Sequence, residues 1–550
     1  MTFNLLRDPF LPVVMRSGTQ RWLAFPELAS NGLDEDYPVE FDWPRPDFNM
    51  ASFEFCIGVI SLALDIRDAD DWRLFWTSPP DQDALAEKLA PLVHAFDLNG
   101  AGPRFLQDCD PLRGDETLIE SLLIDAPGQN GQRKNSDLLT HRSRYAALGL
   151  PAAAMALYTL QAYAPSGGAG NRTSMRGGGP LTALVVPATQ DGAPPVSLWR
   201  KIFANVVPCD KRLRIDELPK ALPWMAPTLT SEGKSPRTVH ETDPDAHPLQ
   251  AYFGMPRRIR LVFSREPSIC SMTGEKGPLV TGFSQKPYGT NYGLWVHPLT
   301  PYRRRKEAGE PYSAKPKSGR FGYRDWVAVA VGSKEGKLAE QPANIKLAKT
   351  DRPDDLSQDR QVADARIRVG GWAMNNMEAI AYLVAEQPLH LATTADRQEA
   401  LDELARQLSD AADYAVSQLL AALKKALFSR QTNASNDKGL LDQARTDFYA
   451  ATEDSFHRML NELLQKMPED GRLAEAADYK QDWLKIMRCT ALATFDRLAP
   501  VPIQDAEKAK PIVNAYGILN ATFAGRSKES KSLYDKLELP LPEKTQKEVT

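Results

Sequence analysis

Gly167-Gly168-Ala169-Gly170-Asn171-Arg172-Thr173-Ser174-Met175-Arg176-Gly177-Gly178-Gly179 holds six glycines and two arginines and no acid. Glycine lets a backbone take positive φ and come close to another surface. Arginine adds a fixed charge and a planar fork of donors that suits phosphate. An alanine-rich apolar run at 146–162 leads into the stretch and has the composition of a helix. A β-branched, proline-bounded run at 180–187 leads out of it and reads as a strand. The stretch therefore joins a helix to a strand. The same composition is also that of an ordinary exposed loop.

Helical spacing at 59–64 and 85–98 and β-like runs at 258–263 and 326–331 continue this mixture on both sides. Residues 117–124 read as a strand or short helix, and 205–250 as irregular. Residues 365–386 read as a β-hairpin: Ala365-Arg366-Ile367-Arg368-Val369 alternates, and Ala379-Ile380-Ala381-Tyr382-Leu383-Val384 returns. Gly370-Gly371 and Asn375-Asn376 offer turn chemistry between them. From about 395 the pattern changes. Leu401, Leu404, Leu408, Ala412, Val416, Leu419, Leu423 and Leu427 keep a three-four spacing, one face of a long amphipathic helix. Further helices are expected at 440–467, 473–499 and 506–524, and a loose tail from 526. Short polar connections make these helices antiparallel neighbours that bury their stripes on one another. The expected fold is α+β: a large mixed N-terminal domain, 1–388, followed by a C-terminal four-helix bundle, 389–550.

The chain has 550 residues, 42% hydrophobic and 25% charged, the composition of a globular protein. No run reads as long and apolar enough to span a bilayer, and the N-terminus lacks the apolar core of a signal peptide, so a cytoplasmic protein without membrane contact is expected. Five scattered cysteines (Cys56, Cys109, Cys209, Cys270, Cys489) show no C-x-x-C spacing, so neither a disulfide framework nor a cysteine zinc site is expected. The formal charge of −4 hides a segregation. Residues 251–350 carry 18 Lys+Arg against 7 Asp+Glu, a local balance of +11 that leaves −15 for the remainder. A basic block in an acidic chain points to a localised anionic partner.

No catalytic motif is present. The glycine stretch lacks the G-x-x-x-x-G-K-[ST] phosphate loop, and Gly168-x-Gly170 is followed by Thr173, which breaks G-x-G-x-x-G. There is no H-E-x-x-H and no G-x-S-x-G. His240 and His247, with Glu241, Asp243 and Asp245 between them, sit in polar, proline-bearing sequence that reads as a solvated loop. No metal or cofactor is expected. What remains suits nucleic acid: the glycine stretch, a turn-rich basic loop at 125–137, the basic middle region and the asparagine-bearing hairpin. The rival from another class is an enzyme that uses the glycine loop for a nucleotide phosphate.

Four blocks in order resemble CasA, the large-subunit family of the type I-E CRISPR Cascade complex. They are Phe3-Asn4-Leu5-Leu6 with Pro9-Phe10-Leu11-Pro12-Val13; Ala164-Pro165 through Met175-Arg176-Gly177-Gly178 and Pro180; Thr281-Gly282-Phe283 with Gly293-Leu294-Trp295 and His297-Pro298; and Gly370-Gly371-Trp372 with Asn375-Asn376. The resemblance covers most of the chain and ends, as in that family, with a helical bundle.

It implies a subunit that is not a nuclease. Such a subunit recognises the short motif beside the target (the PAM) from the minor groove of double-stranded DNA. It helps open the duplex for the guide RNA, and it offers a docking surface to the helicase-nuclease of antiviral defence. Its implied partners are the other Cascade subunits and the guide RNA, the duplex target and that helicase-nuclease. By position, the resemblance implies DNA contacts at Gly168, Ala169, Gly170 and Asn171, a minor-groove lysine at Lys286, and a wedge at Asn376, Met377 and Glu378. The loop bearing Gly128, Gln129, Asn130, Arg133 and Lys134 resembles the one that meets the 5′ end of the guide RNA and the backbone of the complex. Three departures stand out. Ala169 replaces a glycine. Met377 and Glu378 stand where glutamine and alanine are familiar, with one extra residue before them. A cysteine cluster is reduced to Cys270. The first two leave the preferred motif open.

Overall fold

The structure, a computed structural model, describes residues 2–30, 34–128, 133, 144–168, 170–189, 192–233, 236–334, 337–357, 364–375, 377–428, 438–471, 476–502 and 505–542. The chain forms two compact units, Met1–Gly319 with Lys334–Leu389, and Arg320–Ser333 with His390–Thr550.

In the first unit, strands β1 (Leu11–Met15), β2 (Gln20–Leu23) and β3 (Pro38–Phe41) form an antiparallel sheet with β1 central. Helix α1 (Pro46–Leu64) follows. It is apolar on nearly every face, and its Phe48, Phe53 and Phe55 are fully buried. The Phe55 ring meets Phe10, Phe25, Phe96, Phe105 and Tyr158 edge-on. This corrects one expectation: α1 has the length and hydropathy to cross a bilayer, but 83% of its apolar window is buried inside the unit. It also carries Glu54, whose buried charge is paired within the core.

Strands β4 (Glu116–Leu118) and β5 (Leu148–Gly149) precede helix α2 (Leu150–Tyr163), which packs on α1. Strand β6 (Thr182–Ala188) comes after the glycine stretch. Strands β7 (Arg258–Phe263) and β8 (Leu279–Lys286) pair with each other, and β8 also pairs with β4 and β5. Strands β9 (Asp364–Asn375) and β10 (Glu378–Pro388) form the hairpin, with β9 between β10 and β6. The helix–glycine–strand order of 146–188 is as the sequence implies.

The hairpin turn differs in one respect. Gly370 and Gly371 lie inside β9, not in the turn. A side chain at Gly370 would meet Met50 at 2.7 Å, and one at Gly371 would meet the Pro180 carbonyl at 2.8 Å. These glycines serve close approach within the sheet.

The second unit is built on α4 (Ala395–Phe428), α5 (Lys438–Lys466), α6 (Ala476–Leu498) and α7 (Ala506–Phe523), with α4 packed against the other three. Leu401, Leu404, Leu408, Ala412, Val416, Leu419 and Leu423 are all buried, the stripe that the spacing predicts.

Two expectations fail here. The run Trp326-Val327-Ala328-Val329-Ala330-Val331 is helical, not a strand: a turn of α3 (Tyr323–Trp326) runs into a wider turn closed by Gly332 N–H on the Val327 carbonyl at 2.9 Å. Packing overrides its β propensity. Tyr323 stacks on Phe456 with centroids 4.4 Å apart, and Trp326 meets Phe456 and His457 edge-on. Residues 320–333 therefore group with the helices, a break that a first domain continuous to 388 does not include. The tail from 526 is also less loose than expected. Helix α8 (Ser530–Leu537) buries Leu533 and Leu537 completely, and the Tyr534 hydroxyl donates to the Phe523 carbonyl at 3.0 Å.

Candidate nucleic-acid interface

The glycine stretch has two halves with different jobs. In the first, Asn171 N–H donates to the Gly168 carbonyl at 2.7 Å and closes a four-residue turn. Its third position, Gly170, has φ +80°, the sign a type II turn demands there. Gly167 and Gly168 are exposed, and Gly168 has open space where a side chain would stand. The second half is buried. A Cβ on Gly178 would fall 2.5 Å from the Pro165 Cα, and one on Gly179 would fall 2.4 Å from the Trp372 carbonyl in β9. The reading of all 13 residues as one exposed basic loop is thus corrected.

Arg176 is no phosphate ligand. Its side chain is 2% exposed and bonds Glu54 at 2.6 Å. The Glu54 carboxylate also accepts from the Tyr163 hydroxyl at 2.9 Å and the Thr182 hydroxyl at 3.3 Å. Burial pushes the Glu54 pKa up, but the opposing pull of Arg176 and His297 wins and holds it at about 2. His297 is brought down to about 4 by burial, with Arg176 adding to the effect and Glu54 opposing it. Its Nδ1 accepts from Leu299 N–H at 3.1 Å, so the neutral ring carries its proton on Nε2, 3.4 Å from Glu54. This network fastens the glycine stretch to the core of the unit. Arg172 donates to the Ser231 hydroxyl at 2.8 Å and to the Ser231 carbonyl at 3.1 Å.

The fold brings the glycine turn and Lys286 together. Lys286 is the exposed last residue of β8, paired with Arg258 of β7. The next residues, Pro287 and Tyr288, lie directly against Gly170: a Cβ there would meet the Tyr288 ring at 2.8 Å and Pro287 at 3.0 Å. Tyr288 N–H donates to the Gly170 carbonyl at 2.9 Å, and Ser231 N–H donates to the Tyr288 carbonyl at 3.0 Å. Gln285 donates to the Asn171 side chain at 2.5 Å. Tyr288 has φ +60°, which costs a bulky residue about 1–3 kcal/mol and persists only where surrounding contacts fix it. The two backbone hydrogen bonds and the ring on Gly170 are those contacts. Sequence reasoning missed Gln285, Tyr288 and Ser231. The tripeptide Pro287-Tyr288-Gly289 signals a turn, but nothing in the sequence gives its partner.

The wedge residues are at the hairpin tip. Met377 is 56% exposed and Glu378 is exposed, whereas Asn376 lies outside the described residues. Near the tip the register jumps from Ala373↔Ala381 to Met374↔Ala379, leaving Ile380 as an extra residue. Such a bulge bends the hairpin and re-aims its end. The glycine stretch touches the Lys286 turn at one end and β9 at the other, at Trp372 and Met374. Ala169 lies outside the described residues, as do Gln129, Asn130 and Lys134; Gly128 and Arg133 are exposed. The histidine-bearing segment has other engagements. Asp245 pairs with Arg237 at 2.6 Å, and buried His247 bonds the Lys211 carbonyl at 2.9 Å.

A match to the family described as CRISPR-associated protein Cse1 spans residues 4–494. CasA of Thermus thermophilus is similar in structure, with a TM-score of 0.67 at 16% identity over 95% of this chain and 100% of that one. Cse1 of Acidimicrobium ferrooxidans gives 0.66 at 17% identity, over 95% and 98%. A chain of a solved CRISPR RNA-guided surveillance complex gives 0.67 at 16% identity, over 94% and 99%. At these identities the likeness establishes the α+β fold. The family match spans nearly the whole chain, and the chain belongs to the CRISPR-associated protein Cse1 family.

Proposed function

We propose that this protein is the non-catalytic subunit of a CRISPR RNA-guided surveillance complex that recognises the target-flanking motif in double-stranded DNA. It helps open the duplex and docks the helicase-nuclease that acts on the target. The observation that carries the reading is the joining of the glycine turn to the Lys286 turn. A thin backbone loop and an exposed lysine on one rigid support are what a narrow minor groove admits. That groove separates mainly A·T from G·C, so few contacts and a tolerant motif follow. The exposed Met377 supports the wedge, since an apolar side chain inserted at a base step unstacks it. The loop at 128–134 is assigned to the guide RNA, and the helical unit to protein partners, on the family resemblance.

The test is a reconstituted complex, with and without this subunit, challenged with duplex targets bearing a randomised flanking motif. The expected result is enrichment of a restricted motif set only when the subunit is present. Equal binding to all motifs, or tight binding and turnover of a free nucleotide by the subunit alone, would overturn the reading in favour of the nucleotide enzyme.

A further inference from the structure

Against Gly167, where the glycine turn begins, lies a cation that finds no counter-ion among the described residues. Arg257 immediately precedes β7 and is 7% exposed. Its backbone is pinned on both sides by one side chain of α2: its N–H donates to Gln161 Oε1 at 2.9 Å, and its carbonyl accepts from Gln161 Nε2 at 2.9 Å. The guanidinium donates through Nη2 to the Pro165 carbonyl at 2.5 Å. Its Nη1 lies 2.9 Å from where a Cβ on Gly167 would stand, so the charge sits directly against the residue that leads into the turn. Its Nε is buried with no hydrogen-bond partner. Among the described residues no carboxylate pairs with it, and the sequence 165–179 contains no acid. Burial alone lowers its pKa to about 10, so it stays charged at neutral pH.

A buried charge without a partner is costly, and perturbed charged groups cluster at functional sites. Two other buried arginines in the same unit are better met. Arg176 has Glu54, and Arg352 spends two donors on the Ala204 and Val206 carbonyls at 2.9 and 2.8 Å while lying over the Trp72 ring. Arg257 has one carbonyl and an idle Nε.

We propose that Arg257 is the fixed positive floor of a phosphate site, where a backbone phosphate of the target duplex rests on the outer face of the Gly167–Gly168 turn and supplies the missing counter-charge. This rests on the reading of the turn as a DNA contact and adds the group that makes it attractive to an anion. Because Gly167 and Gly168 have no side chains, only one thickness of backbone separates the guanidinium from the surface. Exposed Lys286 brings a second charge on the adjoining turn.

The test uses the full complex on a duplex with a preferred flanking motif, titrated across ionic strength. Arg257→Gln is expected to lower affinity about tenfold at low salt, with the gap narrowing as salt rises, because the lost term is electrostatic. Arg257→Lys should restore most of it, and Arg352→Gln, a buried cation away from the turn, should not reproduce the salt-dependent loss. A second measurement needs no protein variant. Uncharged methylphosphonates placed singly near the motif should reveal one position where neutralisation weakens binding by the wild-type complex. At that position the Arg257→Gln loss should no longer add.

If Lys286→Ala weakens binding while Arg257→Gln matches wild type at every salt, the phosphate site is wrong and the broader reading stands. A loss independent of salt and not restored by lysine makes Arg257 a packing residue and overturns the proposal. A salt-dependent loss seen only in assembly on the guide RNA overturns it in favour of an RNA phosphate. If Arg257→Gln does not assemble, the methylphosphonate scan decides, and the absence of any sensitive phosphate refutes the site. If neither Lys286→Ala nor Arg257→Gln alters DNA binding, the broader reading falls and the phosphate site falls with it.

Discussion

Glu54→Gln tests whether the glycine stretch is held from within. Glu54 is fully buried and bonds Arg176 at 2.6 Å. The substitution keeps the shape but strands a buried guanidinium. Breaking a buried pair from one side costs about 3–5 kcal/mol, because the surviving charge keeps its desolvation penalty and loses its partner. For a unit of this size that corresponds to a fall in Tm of roughly 4–6 °C. The double variant Glu54→Gln/Arg176→Met removes both charges and should recover most of the loss.

Acid should act in the same direction. Glu54 is held at about 2, so the pair's contribution is full above the ordinary carboxylate range and fades as pH falls towards 2. His297, held down at about 4, adds a loss of stability as pH falls from about 6.5 to 4, because the unfolded chain takes its proton first. Scanning calorimetry of wild type, the two single variants and the double variant across pH measures both terms. At a temperature where the variants are folded, Arg176→Met should bind target DNA as wild type does. If Arg176→Met leaves the melting temperature unchanged and weakens DNA binding, Arg176 contacts phosphate and the buried network has been misjudged.

Lys286→Ala should weaken target binding and reduce the salt slope by about one unit if the lysine meets a phosphate, or weaken it in a motif-dependent way if it meets a base edge; unchanged binding on every motif sinks both versions. Gly170→Asp is no purely electrostatic probe, since φ +80° and a Cβ 2.8 Å from the Tyr288 ring force the adjoining turn to move. Gly170→Ala, without the charge, should therefore already lower motif-dependent binding, and amide exchange across 285–289 should rise with it. Met377→Gly should bind a target pre-opened by mismatches nearly normally and a fully paired one poorly; equal defects on both would remove the wedge. In the helical unit, His390 Nε2 and His457 Nδ1 share a contact of 3.1 Å, and burial holds His457 at about 4. That unit should lose stability as pH falls from about 6.5 to 4, and His457→Gln should flatten the dependence in a thermal melt.

The hairpin and the long helices were legible because each repeats a period long enough to be unmistakable. The stripe from Leu401 to Leu423 and the alternation from Ala365 to Val369 encode burial directly. The run at 326–331 was not legible. Its β-branched residues favour a strand locally, and the aromatic partners that make it helical, Phe456 and His457 among them, lie more than a hundred residues away. The glycine stretch was half legible. Composition marks a backbone that must bend and approach closely, but it cannot say that Gly179 approaches the protein itself while Gly168 faces open space. The arginines were misassigned for the same reason. A guanidinium reads alike in sequence whether it faces solvent, is answered by Glu54 as at Arg176, or lies against Gly167 with no counter-ion among the described residues as at Arg257.

Because residues 320–333 belong with the helices, the chain passes between the two units three times, at 319/320, 333/334 and 389/390. During synthesis, Tyr323 and Trp326 emerge well before Phe456 and Trp483, the rings that will cover them. At ~5–20 residues per second the wait for Trp483 is roughly 10–30 s. Through that interval the nascent chain carries an uncovered aromatic segment inside a unit that is otherwise ready to close. This segment is where a ribosome-associated holdase would bind and where a premature stop would leave an adhesive product. The helical unit cannot be released intact by cutting the polypeptide at one place, because a cut at 389/390 leaves its residues 320–333 behind.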